Sequence, residues 1–149
     1  MLRISSRHLQ AVRAHLEAGY PHEACGILIG EMDDSGEDRL VCDVVPVRNA
    51  WDLEAAPSAA HGLHDRYSID PADVARADKV ARRQGFDIIG FFHSHPDSAA
   101  AASETDREWA WPVVSFMIAS VHGGRMTDVR SWRLSDDRSA FAEEVVRVE

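Results

Sequence analysis

The sequence of 149 residues predicts one α/β domain spanning residues 1–149, a mixed β-sheet flanked by helices. Three observations carry this. Segments of helical periodicity alternate with short β-rich apolar runs. The stretch from Phe86 to Phe92 is apolar almost throughout, as a central strand buried on both faces requires. The 45% apolar and 28% charged shares are ordinary globular composition, and no repeat, low-complexity tract or linker interrupts them. A chain of this length buries roughly 68–70% of the surface its unfolded form exposes, enough for a core without disulfide staples.

The elements follow in order. Ser6 stands as a helix N-cap, Leu9, Val12 and Leu16 repeat on one face, and Gly19-Tyr20-Pro21 stops the helix. Residues 25–48 read as a hairpin: the β-branched run Cys25 to Gly30, turn chemistry at Asp33-Asp34-Ser35-Gly36, and a second apolar run from 38. From Asn49 to Asp65 the patterning is weak, and a loop is expected. Arg66 to Ile69 reads as a strand, and Asp70-Pro71 caps a helix that runs to Gln84 and ends at Gly85. The central strand then leads into His93. A small-residue loop from Asp97 to Ala102 precedes a short helix from Ser103 to about Trp109, stopped by Pro112. Val113 to Val121 and Val129 to Leu134 read as strands around His122-Gly123-Gly124, and the tail from Phe141 to Val148 fits a strand or a helix equally.

Sixteen Lys and Arg against 25 Asp and Glu give a formal charge of −9, which excludes a polybasic binder of nucleic acid or anionic lipid. Two cysteines, Cys25 and Cys42, make neither a disulfide framework nor a zinc knuckle and read as reduced thiols. The N-terminus lacks the apolar core of a signal peptide, and no window approaches a transmembrane helix. A soluble, cytoplasmic protein is expected.

Of the eight histidines, two carry the strongest local signal, in Gly90-Phe91-Phe92-His93-Ser94-His95-Pro96. Residues i and i+2 of a strand project to the same side, so both imidazoles can meet one metal ion, although two surface histidines beside a strand end would read the same way. Seven residues on come Ser103-Glu104-Thr105-Asp106. Ser103 and Asp106 are a capping-box pair that needs no catalysis. They also lie about one helical turn apart, so a loop folding this helix back to the strand end would add Asp106 as an anionic ligand. Two His and one Asp leave a tetrahedral position open, as in catalytic rather than structural zinc sites. Glu23, an acid between a helix stop and a strand start, is ordinarily solvated. Trp109 and Trp111 read as packing residues, and Cys25 as a buried, inert thiol. Ser94 faces away from the ligands, His22 could line the site, and His8, His15, His61, His64 and His122 read as incidental.

Combined, His22-Glu23-Ala24-Cys25-Gly26-Ile27-Leu28-Ile29-Gly30, His93-Ser94-His95-Pro96 and Ser103-Glu104-Thr105-Asp106 resemble the JAMM (MPN-plus) metallopeptidases, most closely the small stand-alone prokaryotic members. The family pattern is an upstream glutamate, His-Ser/Thr-His-Pro, seven residues, a serine, and an aspartate three positions later. Residues 96–102 are the seven. Members often carry proline on both sides of the serine; this chain has Ala102 and Glu104, departures at non-ligand positions.

The resemblance implies one Zn²⁺ per chain held by His93, His95 and Asp106. Such an ion lowers the pKa of a water from 15.7 to about 7. It further implies Glu23 as general base and then acid, and Ser103 as the oxyanion's hydrogen-bond donor. The implied substrate is a ubiquitin-like or sulfur-carrier protein ending in Gly-Gly and joined to an amine, with release of cysteine from a sulfur carrier as one known role. Competing readings are a non-catalytic MPN scaffold, which the intact functional positions oppose; a zinc deaminase, whose H-x-E and P-C-x-x-C are absent; and a cysteine hydrolase built on Cys25.

Overall fold

The computed structural model describes residues 1–51 and 61–149. In chain order the elements are β1 (Leu2–Ile4), α1 (Ser6–Gly19), β2 (Cys25–Met32), β3 (Arg39–Val47), α2 (Pro71–Arg83), β4 (Asp87–Pro96), α3 (Glu104–Trp109), β5 (Ser115–His122), β6 (Arg125–Leu134), β7 (Phe141–Glu144) and β8 (Val146–Val148). The strands form one mixed sheet in the order β7-β6-β5-β4-β2-β3-β1-β8. β4 lies at its centre, antiparallel to β2 and parallel to β5. The expected α/β architecture is present, and among the described residues no helix is long and apolar enough to cross a membrane.

Strand alternation divides the core in two. Leu28, Phe92, Met117 and Ala119 point to the α1 face and pack with Val12 and Leu16. Ile27, Ile29, Phe91 and Phe116 point to the α2 face and pack with Ala77 and Ala81. His93 and His95 therefore follow Phe91 onto the α2 side, while Ser94 follows Phe92 to the α1 side.

Two local expectations change, and two points the sequence left open are settled. The N-cap of α1 is Ser5, whose Oγ accepts from His8 N at 3.1 Å; the Ser6 hydroxyl instead donates to the Glu149 carbonyl. Residues 66–69 join no ladder, because side-chain and loop groups take their backbone: Asn49 donates to Arg66 O and accepts from Ser68 N, and Ala50 N donates to Ser68 O. β1 was not legible, being three residues long with non-local partners in β3 and β8. The ambiguous tail is strand, because its edges complete β6 and β1. Within the weakly patterned stretch 49–65, residues 52–60 lie outside the described residues.

Candidate metal centre and its cleft

β4 carries both imidazoles to its C-terminal end, where their Nε2 atoms lie 3.1 Å apart. His95 Nδ1–H donates to Ala99 O at 2.8 Å. A carbonyl can only accept, so this bond fixes the tautomer with the Nε2 lone pair facing inward. Holding the loop after β4 are Trp132 Nε1, which donates to Ala100 O at 3.0 Å, and the Ser120 hydroxyl, which donates to Ser98 O. Asp97, at φ 53°, accepts from Tyr20 O–H and Gly123 N–H. So anchored, the loop brings α3 back over the strand end.

There the two readings of Ser103 and Asp106 both hold. Ser103 Oγ accepts from Asp106 N at 3.1 Å and Asp106 Oδ2 accepts from Ser103 N at 2.8 Å, a complete capping box. The same carboxylate places Oδ1 3.1 Å from His93 Nε2 and Oδ2 3.3 Å from His95 Nε2. One ligand atom each from His93, His95 and Asp106 lies within 4.8 Å of the others. Two imidazoles and a carboxylate this close, with His93 1% exposed, fit a borderline cation such as zinc and leave room for a further ligand.

Electrostatics treat the three groups differently. Burial would push the Asp106 carboxyl up, but the adjacent His93 and His95 hold it well below the ordinary carboxylate range. Burial lowers the His93 imidazole, keeping it neutral as a ligand must be, whereas at His95 burial is outweighed by the Asp106 carboxylate, which raises the imidazole, so that a metal would displace a proton there. Glu23, only 7% exposed, is pushed by burial up to about 8, with His95 pulling the other way. Its carboxyl lines, with Ser103 and Asp106, a cleft of about 370 Å³.

Sequence reasoning missed other parts of this cleft. Tyr67 stacks on His93 at 4.3 Å between ring centroids and 22° between planes. Trp109 and Trp111, expected to pack inside, are 74% and 54% exposed and line the cleft, with Trp111 edge-on to Phe91. Large aromatic side chains are ordinarily buried, but the short helix that carries Trp109 buries none of its residues, and Trp111 lies beyond its end. Asn49, an isolated polar residue in a stretch without periodicity, touches Glu23. His22 is exposed. Cys25 is buried and its thiol is pushed up to about 12 by that burial, the opposite of an activated nucleophile.

The chain is similar to a desampylase from Haloferax volcanii, 38% identical over 108 residues that cover 72% of this chain and 68% of that protein. It is 26% identical over 149 residues to a CysO-cysteine peptidase from Mycobacterium tuberculosis, covering 99% of this chain and 91% of the relative. The solution structure of a protein from Desulfitobacterium hafniense superposes with a TM-score of 0.80 at 29% identity, covering 100% of this chain and 93% of the other. The model describing prokaryotic homologs of the JAB domain matches residues 5–135. On that match, and on a fold that carries the His93, His95 and Asp106 cluster at the end of its central strand, the chain belongs to the prokaryotic homologs of the JAB domain.

Proposed function

We propose that residues 1–149 act as a zinc-dependent metallopeptidase that hydrolyses the amide bond after the C-terminal Gly-Gly of a ubiquitin-like or sulfur-carrier protein. Release of cysteine from such a carrier is the form of the reaction we favour. The observation that carries the reading is the meeting of His93, His95 and Asp106, with Asp106 lining one cleft together with Ser103 and the buried Glu23. The names of the relatives, a desampylase and a CysO-cysteine peptidase, support the substrate class.

His93 and His95 would hold the zinc through Nε2, and Asp106 through its carboxylate. Bound there, the ion supplies Lewis acidity, making a water acidic enough to attack near neutral pH and polarising the scissile carbonyl. Beside a cation Glu23 favours its ionised form, and its carboxylate would then take the proton of the attacking water and deliver it to the leaving amine. The Ser103 hydroxyl, whose oxygen accepts the Asp106 N–H, keeps its own hydrogen to donate to the developing oxyanion. Glycine on the substrate lets its backbone approach this centre closely, and an extended tail suits a narrow cleft.

The test is metal content measured beside hydrolysis of a carrier protein extended by one amino acid after its Gly-Gly. Wild type and Glu23→Gln are expected to carry about one zinc per chain, as the ligand set of three requires. Only wild type turns over appreciably, because loss of a general base costs about 10²–10⁴-fold. Full activity in Glu23→Gln removes Glu23 from the mechanism, and full activity in metal-free wild type removes zinc. Activity that survives chelation and dies on thiol alkylation would transfer the chemistry to Cys25.

A further inference from the structure

We propose that Asn49 is the positioning residue of this site: its carboxamide holds the backbone of Glu23 and the chain on both sides of Tyr67 in a single register. The inference rests on the reading of Glu23 as the general base.

The β2–β3 ladder ends with Cys25 opposite Val47, after Gly26 opposite Pro46. Continuing that antiparallel register by two residues sets Glu23 opposite Asn49, where neither residue belongs to a strand. No ladder bond therefore fixes the base. Its backbone is held from the side of the cleft wall instead, with Glu23 N donating to Leu63 O at 2.6 Å and Glu23 O accepting from Asn49 Nδ2 at 3.0 Å. The same Nδ2 donates to Arg66 O at 2.9 Å. Asn49 Oδ1 accepts from Trp51 N and from Ser68 N, each at 3.1 Å. A carboxamide has two N–H donors and two acceptor lone pairs, and all four are used here. Two carbonyls on one side and two N–H groups on the other leave only one orientation of the amide, and no other side chain of this size offers that pattern.

The consequence reaches the metal ligands. Arg66 O and Ser68 N flank Tyr67, whose ring stacks on His93. One side chain thus sets the placement of the proton-transfer group and of the ring that backs a metal-holding imidazole. Misplacing a reacting group by about 1 Å can cost on the order of 10²-fold in rate.

Asn49→Asp is nearly isosteric, keeps both accepted bonds, and turns an oxygen toward the carbonyls of Glu23 and Arg66. Asn49→Ala removes the clamp without adding charge, and carries the comparison if the first variant does not fold. On the zinc-loaded chain, with the extended carrier as substrate, kcat is expected to fall by about 10²-fold. KM and zinc affinity, measured by competition with a chelator, stay within about 3-fold, because Asn49 itself neither lines the cleft nor belongs to the ligand cluster. A second readout needs no substrate: in Asn49→Ala, hydrogen exchange of the Trp51 and Ser68 amides, which lose their acceptor, accelerates, while Leu28 and Phe91 stay protected. If wild type cleaves nothing but those two amides are released selectively, the functional reading fails and the clamp stands. Overturning results are a kcat within 3-fold of wild type in a folded variant, or a uniform loss of protection across the sheet. A KM rise at constant kcat would also overturn it, by assigning Asn49 to substrate binding alone.

Discussion

At the residue scale, two carboxylates in one cleft are driven in opposite directions. Asp106 is held ionised by the imidazoles it faces, while burial raises Glu23 from 4.5 to about 8. The metal-free native state therefore keeps a proton on Glu23 between those pH values that the unfolded chain gives up. This group's contribution to stability is complete below pH 4.5 and is lost as pH rises through 8. In metal-free protein, Glu23→Gln is expected to gain on wild type by roughly 3–5 kcal/mol between about pH 4.5 and 8.5, read by urea unfolding at the two ends. An unchanged difference would mean the carboxyl is not buried as described. Ser103 has two duties and a double signature. Ser103→Ala is expected to lower kcat by about 10²–10³-fold through the lost oxyanion donor and stability by about 1 kcal/mol through the lost cap. A stability loss without the kinetic loss would leave Ser103 as a cap alone.

At the element scale, the site depends on β4 keeping its register between β2 and β5, since a slip of one residue would send His93 and His95 to the α1 face. The antiparallel pair of β2 and β3 on one side of β4 packs closely through glycine. At the β2 bulge a Cβ on Gly30 would sit 1.9 Å from the Leu40 carbonyl oxygen, a backbone atom that cannot swing aside. Gly30→Ala is therefore expected to destabilise by about 1–3 kcal/mol in chemical unfolding. A neutral result would show that β3 can move away from β2 at no cost. α3 presents the opposite case: it buries nothing, and its position rests on the anchored loop before it and on Arg107 and Arg138, which donate to Arg138 O and Glu108 O.

At the scale of the whole molecule, β7 and β8 are separated by Val145 alone, yet β7 pairs with one edge of the sheet and β8 with the other. The last strands therefore draw the two edges together. Glu144 sits at that junction, accepting from Ser131 Oγ at 2.7 Å and lying 3.6 Å from Arg39, itself 2% exposed. Removing one partner of a buried pair leaves the other charge uncompensated, so Glu144→Ala is expected to cost about 3–5 kcal/mol, and Arg39→Met with Glu144→Leu much less. Equal losses in the single and double variants would refute that account. Sequence alone determined the parts governed by short-range periodicity and residue chemistry: α1 and α2, the hairpin of β2 and β3, the two-residue spacing of His93 and His95, and the capping pair Ser103 and Asp106. These are legible because a repeat or a cap is written in neighbouring residues. Only the tertiary structure decided that β1 and the tail are strands, that residues 66–69 are a cleft wall, that Trp109 and Trp111 stay exposed, and that Asn49 meets Glu23. Each of these depends on partners many residues away, and a local pattern cannot encode a contact whose other half is brought in by the fold.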